Sequence, residues 1–327
     1  MYKYLETASF DPCYNLAFEE YCLTSLTQYP RIMLLWQNEN AVIIGRYQNA
    51  LSEINQSAAM RYGVTVVRRS TGGGAVYHDL GNLNYSFITP AEKLSAINLK
   101  VAAAPLLSAL HELGINAEVQ GRNDIVVDGL KISGTAQRLY KDRLLHHGTL
   151  LYDTDLSVLQ KVLSVDSTKL TSKGIKSVRS RVANIKQITR SNKTTRDFWQ
   201  DLLGALPDTE KITLTAEQLS EVRRLAQEKY ASREWNIGKT PAYKINSSKR
   251  FPGGKLEAGL DVRNGIITGI RISGDFLGLI SAEGIENALT NLTYDKTIVA
   301  QALENLPLQL HLGSISAEEF LSCLFPD

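Results

Sequence analysis

Three consecutive glycines stand between two arginines and a histidine–aspartate pair in residues 68–87, RRSTGGGAVYHDLGNLNYSF. A β-branched run at 64–67 precedes them and an alternating segment begins at Ala75, so the pattern predicts strand, loop and strand. Ordering three glycines is entropically expensive, and a merely flexible loop does not explain the flanking charges. Glycine lets backbone N–H groups approach an oxyanion closely, and Arg68 or Arg69 can supply a fork of donors. We therefore predict an anion-binding turn.

Two familiar phosphate-binding loops do not fit this chain. The dinucleotide fingerprint needs a helix after its glycines, whereas residues 75–77 and 82–87 have a strand pattern. Gly238-Lys239-Thr240 resembles the end of a Walker loop, but Arg233 stands where the earlier glycine is required and Pro241 follows. That tripeptide is predicted to be a turn.

A hairpin is the second segment with chemical potential. Asp128-Gly129 lies between the apolar runs 125–127 and 130–132, which favours a tight type I′ turn and fixes the register of Lys131. A lysine on a strand most often faces solvent, so its position alone leaves the role of Lys131 open.

The amino-acid composition limits the classes to which this protein can belong. The 327 residues with 43% apolar content indicate a globular protein of one large or two ordinary domains. No apolar run approaches the roughly 18 residues of a membrane helix, and the first ten residues lack a signal-peptide pattern, so we expect a cytoplasmic protein without a membrane partner. A net charge of +2 does not suggest nucleic-acid binding. Cys13, Cys22 and Cys323 have no CxxC spacing and are predicted to pack in the core.

Several elements are predicted in the first half of the chain. A structural helix begins at Asp11-Pro12, and strands at 32–36 and 41–44 are joined by a polar turn. Thr89-Pro90-Ala91-Glu92 has the form of a capping box that opens a helical region, which Pro105 splits and which closes near Gly114.

The second half of the chain is predicted to end in a small domain. Amphipathic helices are predicted at 195–206 and 215–230. Residues 256–262 and 266–272 form a hairpin around Arg263-Asn264-Gly265, with two or three short helices after it.

The segment RRSTGGGAVYHDLGNLNYSF resembles the signature of the lipoate-protein ligase family, within the larger group of biotin ligases and lipoyl or octanoyl transferases. GRNDIVVDGLKISGTAQ, residues 121–137, is similar to the segment that carries the family's lysine, here Lys131. KGIKSVRSRVANI, residues 173–185, resembles the loop that folds over the adenylate. Residues 234–236 and 251–254 resemble the end of the catalytic domain and the start of the accessory domain.

The resemblance implies an α+β fold, with a curved, mostly antiparallel sheet and flanking helices. Residues 1–245 would form the biotin/lipoyl ligase-like catalytic domain, and residues 246–327 a small α+β accessory domain. The implied activity is ATP-dependent and requires Mg²⁺: lipoate is activated to lipoyl-AMP with release of pyrophosphate. The lipoyl group then passes to a lysine of apo lipoyl domains in 2-oxoacid dehydrogenase complexes or of the glycine cleavage H protein.

The resemblance also implies the site residues. Lys131 would stabilise the negative charge that develops in both steps, and Asn123 and Asp124 would help to hold Mg²⁺. Residues 143–151 resemble another strand of the family, on which His146 and His147 would point to opposite faces. His147 borders the site or is a satisfied structural histidine. The residues implied in binding ATP and lipoyl-AMP are Arg69, Ser70, Gly72, Gly73, Gly74, Ala75, Val76, Tyr77, His78, Asn82, Lys131, Ser133, Gly134, Ala136, His147, Gly148, Thr149, Ser180, Arg181 and Val182.

Three alternatives remain open. A transferase of the same group would move a lipoyl or octanoyl group between proteins without ATP, although no cysteine nucleophile lies near these motifs. A biotin ligase is disfavoured by the glycine and arginine pattern. A non-enzymatic binder of carrier domains would not need Lys131 beside an anion loop. Residues 169–196 are rich in lysine and arginine and contain no acidic residue. Part of this basic run would close on the adenylate, and part would steer an acidic acceptor domain.

Overall fold

The computed structural model describes residues 1–91, 98–162, 182–206, 208–238 and 243–325. The strands are β1 Tyr2–Leu5, β2 Ile32–Trp36, β3 Ala41–Ile44, β4 Thr65–Arg68, β5 Val76–His78, β6 Asn82–Pro90, β7 Glu118–Gln120, β8 Asp124–Val127, β9 Leu130–Tyr140, β10 Arg143–Leu151, β11 Thr209–Lys211, β12 Ile245–Phe251, β13 Gly254–Arg263 and β14 Ile266–Gly274. The α-helices are α1 Pro12–Thr24, α2 Ala50–Glu53, α3 Gln56–Arg61, α4 Leu99–Glu112, α5 Leu156–Val162, α6 Ile185–Ile188, α7 Thr195–Ala205, α8 Ala216–Leu225, α9 Arg233–Asn236, α10 Glu283–Leu289, α11 Lys296–Glu304, α12 Leu308–Leu312 and α13 Ala317–Leu324.

The largest sheet has eight strands in the order β11-β1-β2-β6-β10-β9-β8-β7. Five of its seven neighbouring pairs are antiparallel, and β1 is parallel to both β11 and β2, so the prediction of a mostly antiparallel sheet is confirmed. Alternate residues of β6 enter opposite cores. Phe87 packs with α4 and α7, and Ile88 packs with α1 and α8. Both faces of the sheet are therefore covered by helices.

A smaller sheet, β4-β3-β5, carries the glycine-rich segment. The strands predicted at 32–36 and 41–44 have those bounds, but β2 belongs to the large sheet and β3 to this one. β3 lies between β4 and β5, parallel to the first and antiparallel to the second. The chain must therefore cross over β3 between these two strands, and residues 69–75 form that crossing. The predicted order of strand, loop and strand is confirmed.

The C-terminal part contains the predicted hairpin and has its own apolar core. β13 and β14 pair around Asn264 and Gly265, whose φ angles of 51° and 74° suit a type I′ turn. Residues 283–324, all of them described, form four helices, so the expectation of two or three was wrong. No helix within the described ranges is long and apolar enough to cross a bilayer.

The capping box predicted at Thr89 was wrong. Thr89 and Pro90 are the last residues of β6, which pairs with β10 as far as Arg143, and Glu92 lies outside the described residues. The helix begins instead at Leu99, where the side chain of Asn98 accepts a hydrogen bond from the backbone N–H of Lys100. Pairing across the sheet has overridden a local helix signal.

Two further helix predictions need correction. Pro105 does not split α4, which is continuous and ends at Glu112, close to the predicted Gly114. Burial of the apolar face of α4 against the sheet offsets the one hydrogen bond that a proline removes. The helix predicted at 215–230 changes at Ala226 from α8 into one π-helical turn that ends at Tyr230.

That π-helical turn brings two polar groups to the buried carboxylate of Glu20 in α1. Its Oε2 lies 2.6 Å from Lys229 Nζ and accepts a hydrogen bond from the Tyr230 hydroxyl at 2.8 Å, while Oε1 lies 2.8 Å from Arg138 Nη1. Burial would raise the pKa of Glu20, but the two cations hold that pKa at about 2. This cluster joins α1, β9 and the π-helical turn.

Candidate active site

The glycine-rich loop is held from within by Arg69. The guanidinium is buried and donates hydrogen bonds to Thr71 Oγ1 and to the carbonyls of Ile43, Gly72 and Gly74, at 2.6–3.1 Å. Burial lowers the pKa of Arg69 to about 10, a value that still leaves it cationic at neutral pH. Arg69 therefore shapes the loop and places positive charge behind it; direct binding of an anion by its fork stays a prediction.

Arg68 has a different position. Its guanidinium donates to the carbonyls of Gly45, Arg46, Gln48, Trp235 and Asn236, and its backbone N–H donates to Asn236 Oδ1. These bonds tie α9 and the turn after β3 to the end of β4. Arg68 is thus a structural residue, and the segment at 234–236, predicted to end the catalytic domain, supports the loop from behind.

Two glycines make this loop possible by close backbone contact. Gly73 has a φ of 92°, which side chains rarely adopt, and a Cβ on Gly45 would lie 1.9 Å from the Gly73 carbonyl oxygen. The requirement for glycine at position 45 arises from a neighbour 28 residues away in sequence, so no local pattern could reveal it.

A cavity of about 180 Å³ opens beside the loop. It is lined by Leu16, Trp36, Ile43, Arg69, Gly74, Ala75, Val76, His78, Asn84, Arg122, Asn123, Lys131, Gly134, Thr135, Ala136, His147, Gly148 and Thr149. One part of this wall is apolar and another is cationic and rich in glycine. His78 Nε2 and Asn84 Nδ2 are buried and have no hydrogen-bond partner among the described residues. Such orphaned polar atoms in a cavity wall fit a site that binds a polar ligand.

The predicted hairpin is confirmed, and a bulge in it aims Lys131 into the cavity. Asp128 and Gly129 have φ angles of 50° and 75°, as a type I′ turn requires. Ser133 pairs with Ile125, and Lys131 with the next residue of β8, so Ile132 is an extra residue in β9. Without this bulge Lys131 would face away from Gly134, which lies on the cavity side.

Asp124 is the immediate partner of Lys131. Its Oδ1 lies 2.6 Å from Lys131 Nζ, and both side chains are about one-third exposed. Asn123 donates from Nδ2 to the Thr135 carbonyl at 3.1 Å, so its Oδ1 is the oxygen left for a ligand. In the described ranges no three acidic, cysteine or histidine side chains are arranged so that they could hold a metal ion by themselves. One carboxylate and one amide oxygen suit an ion that arrives with substrate phosphates better than a resident metal.

Sequence reasoning missed a buried hydrogen-bond network that crosses the site. His147 Nδ1 lies 2.8 and 3.0 Å from the two carboxylate oxygens of Glu19, and its Nε2 lies 2.8 Å from Thr71 Oγ1. Ser86 Oγ donates to Glu19 Oε1 and accepts from Trp36 Nε1 at 3.0 Å. The helix α1 was predicted to be structural only. A charged pair, Glu19-Glu20, in the middle of an otherwise apolar helix was the available signal.

His146 and His147 lie on opposite faces of β10, as predicted. His147 borders the cavity, whereas His146 is buried with its ring centre 5.8 Å from that of Tyr85. Neither ring nitrogen of His146 has a hydrogen-bond partner among the described residues. Burial, and secondly an unfavourable electrostatic interaction with His147, lower the pKa of His146 to about 3. Burial, with Arg69 and His147, does the same for His78.

These two histidines should make the protein sensitive to acid. Between about pH 6.5 and 3 the unfolded chain binds a proton at each position while the folded chain does not, so stability decreases as the pH falls below 6.5. Each contributes a slope of up to about 1.4 kcal/mol per pH unit. His146→Leu should flatten this slope without a loss of stability at pH 8. Urea denaturation at pH 8, 6 and 5 measures how the free energy of unfolding depends on pH. Equal slopes in the wild type and in His146→Leu would contradict the role of His146 in acid sensitivity.

The other predicted site residues that the structure describes do not line the cavity. Ser70, Gly72 and Gly73 are buried within the loop, and Tyr77 points away from the cavity and donates to Asn40 Oδ1. Asn82 donates to Asn84 Oδ1, and Ser133 is buried. Val182 forms a parallel β-bridge with Lys131. Ser180 and Arg181 lie outside the described residues. Their roles in binding stay predictions.

The C-terminal part reaches the glycine-rich loop. The Gly73 N–H donates to the Phe276 carbonyl at 3.1 Å, and the Phe276 ring stacks on Tyr47 with 4.7 Å between centroids. The Leu139 N–H donates to the Leu279 carbonyl at 2.9 Å. Residues 276–279 therefore cover one side of the loop.

The cavity thus combines an apolar wall, a cationic end and a glycine-rich loop. This combination suits an enzyme that binds an apolar acid beside a nucleotide phosphate.

Comparison with known proteins agrees with this class. The sequence-family model of the lipoyl protein ligase A/B catalytic domain matches residues 11–206, and the family model of the bacterial lipoate protein ligase C-terminus matches residues 240–324. The chain is 42% identical to lipoate-protein ligase LplJ of Bacillus subtilis, over 96% of this chain and 97% of the relative. It is 38% identical to lipoate–protein ligase 1 of Staphylococcus aureus, over 95% and 96% of the two chains. The chain therefore belongs to the lipoate-protein ligase family.

Solved structures extend the comparison. P. falciparum LipL1 in complex with lipoate has a TM-score of 0.76 at 28% identity and covers 98% of this chain and 97% of its own. Lipoate-protein ligase A bound with ATP has a TM-score of 0.61 at 28% identity, over 73% and 99%. A bipartite ligase of Thermoplasma acidophilum, solved with its E2 lipoyl domain, has a TM-score of 0.65 at 29% identity, over 75% and 99%. The predicted ligase-like fold with an accessory domain is confirmed.

Proposed function

We propose that this protein is an ATP-dependent lipoate-protein ligase, which activates lipoate to lipoyl-AMP and transfers the lipoyl group to a lysine of lipoyl-carrier domains. The observation that carries this proposal is the cavity, in which the apolar side chains of Leu16, Trp36 and Ile43 share one space with Lys131 and the glycine-rich loop. Relatives of the same family, whose structures hold lipoate or ATP, support it.

The apolar wall suits the acyl chain of lipoate. Burial of each methylene contributes about 0.8 kcal/mol, so the wall supplies binding energy and only modest discrimination between chain lengths. The carboxylate of the acid would then point towards Lys131 and the loop, since these form the cationic end of the cavity.

Lys131 stabilises charge and does not act as a nucleophile. Attack of the acid's carboxylate on the α-phosphorus of ATP forms the acyl phosphate bond and breaks the bond to pyrophosphate. Attack of the acceptor amine then breaks the acyl phosphate bond and releases AMP. Negative charge develops near the phosphate and acyl oxygens in both steps, and a fixed ammonium with nearby backbone N–H groups stabilises it.

Magnesium would be held by Asp124 and Asn123 together with the phosphates of ATP. The ion would neutralise phosphate charge and orient the leaving pyrophosphate. Asp124 pairs with Lys131 at 2.6 Å, so the same carboxylate also positions the lysine side chain.

The acceptors that we propose are apo lipoyl domains of 2-oxoacid dehydrogenase complexes or the glycine cleavage H protein. The related bipartite ligase that was solved with its E2 lipoyl domain supports this class of partner.

The division into a catalytic domain of residues 1–245 and an accessory domain of residues 246–327 stays a prediction, supported by the separate apolar core around β12, β13 and β14. The cytoplasmic location also stays a prediction.

Intact mass spectrometry tests the proposed function. A purified apo lipoyl domain is incubated with this protein and free lipoate, with and without Mg-ATP. We expect the mass of one lipoyl group to be added only when ATP is present. Addition from an acylated donor protein without ATP would favour the transferase instead, and no addition with several folded apo carriers would contradict the ligase.

A further inference from the structure

The network around His147 assigns a role to Glu19 that no sequence motif indicated. Glu19 lies in the middle of α1, is almost completely buried, and faces the glycine-rich loop across the ring of His147. Thr71, on the other side of that ring, is the residue directly before the three glycines and is equally buried. One hydrogen-bonded chain thus runs from α1 through β10 to the start of the loop.

The direction of each hydrogen bond follows from donor and acceptor chemistry. Trp36 Nε1 can only donate, so Ser86 Oγ accepts from it and gives its own proton to Glu19 Oε1. An ionised carboxylate can only accept, so the proton between Glu19 and His147 belongs to Nδ1 of the ring. In the neutral ring Nε2 is then an acceptor, and the Thr71 hydroxyl donates to it. The Thr71 oxygen accepts from Arg69 Nε at 3.0 Å, which completes the chain.

We propose that Glu19 is a positioning residue that fixes His147 in its Nδ1–H tautomer, so that Thr71 is held and the glycine-rich loop is aligned for the nucleotide. The opposite tautomer would donate from Nε2 to an oxygen that already accepts from Arg69. The Thr71 hydroxyl proton would then have no acceptor in this hydrogen-bond network, and the start of the loop would lose one of the hydrogen bonds that hold it. Burial of the whole network makes such a loss costly.

Replacement of Glu19 by leucine, a side chain of similar size that cannot accept a hydrogen bond, should reverse the tautomer, because Nδ1–H would lose both carboxylate oxygens, at 2.8 and 3.0 Å. Glutamine would not test this, since its amide oxygen at the position of Oε1 could still accept from both Ser86 and His147 Nδ1. Other titratable groups face His147 as well: Arg69 from the loop, His78 from β5 and Lys131 across the cavity, while His146 is its neighbour on the opposite face of β10. None of them occupies Nδ1, so Glu19 alone decides the tautomer.

Nitrogen NMR of histidine-labelled protein reads the tautomer directly. The chain has five histidines, and His147→Gln assigns the signals of position 147. We expect a protonated Nδ1 and a bare Nε2 in the wild type, and a protonated Nε2 in Glu19→Leu. An unchanged tautomer in Glu19→Leu, or a protonated Nε2 in the wild type, would overturn the proposal. This readout does not depend on activity.

Kinetics tests the effect on the loop, and this part rests on the proposed function. We expect Glu19→Leu and Thr71→Val to lower kcat/KM for ATP in lipoyl-AMP formation about tenfold, whereas Thr71→Ser, which keeps the hydroxyl, should retain the wild-type value. Glu20→Gln is the control: it removes the neighbouring buried carboxylate, so it should lower stability but leave the His147 tautomer and kcat/KM unchanged. If the wild type forms no lipoyl-AMP, the proposed function fails; if it does and Thr71→Val is as active, only this inference fails.

Discussion

Replacement of Lys131 by methionine should lower the rate of lipoyl-AMP formation by about a hundredfold to a thousandfold in a protein that remains folded. Lys131 is the cation that β9 places at the polar end of the cavity, and methionine keeps much of its length and apolar stem without the charge. The lysine and its partner Asp124 are each about one-third exposed, so loss of their ion pair should cost less than about 1 kcal/mol of stability. Activity and stability should therefore separate.

Pyrophosphate release from ATP and lipoate measures the effect of Lys131→Met, and thermal unfolding shows that the variant is folded. Lys100→Met, on the exposed surface of α4, is a control that removes one positive charge far from the cavity wall. It should behave as the wild type. A folded Lys131→Met protein that forms AMP at the wild-type rate would refute the role of Lys131.

The second large effect is expected for Gly45→Ala. The new Cβ would lie 1.9 Å from the Gly73 carbonyl oxygen and 2.9 Å from its carbonyl carbon, and neither backbone atom can move without the glycine-rich loop. We expect a loss of about 2–3 kcal/mol of stability, as for other overpacked sites. Lipoyl-AMP formation should fall further than stability alone explains, because the new Cβ displaces the loop that lines the cavity.

Guanidinium denaturation and pyrophosphate release together test Gly45→Ala. The matched control is Gly204→Ala in the exposed part of α7, where no atom lies within 4 Å of the new Cβ. Alanine has the higher helix propensity, so this variant should gain about 0.5–1 kcal/mol. If Gly45→Ala were as stable and active as the wild type, the close approach of Gly45 to Gly73 would not exist in solution.

The sequence by itself was sufficient for features that rest on local chemistry. The turn at Asp128-Gly129 was predictable because two successive residues with positive φ favour this pair. The start of α1 at Pro12 followed from a proline after a capping aspartate, and the bounds of β10 followed from the resemblance of residues 143–151 to a strand of the family. The family signature around the three glycines correctly indicated the class of enzyme and the strands that flank the loop.

Long-range pairing decided what local patterns could not. Thr89 and Pro90 carry a helix signal, yet they end a strand because β10 supplies partners for them. The bulge at Ile132 sets the face of Lys131, and it arises only where β9 pairs with β8. The backbone contact between Gly45 and Gly73 likewise exists only in the folded chain.

The same distinction holds for the chemistry of the site. The sequence determined that a glycine-rich loop between two strands and a lysine hairpin occur in one chain, because glycine and turn residues act through their nearest neighbours. Only the tertiary structure placed Glu19, His147 and Thr71 in one buried chain, and it used the donors of Arg69 within the loop itself. The physical reason is that a hydrogen bond depends on distances of about 3 Å, and positions far apart in sequence reach such distances only when helices and sheets pack together.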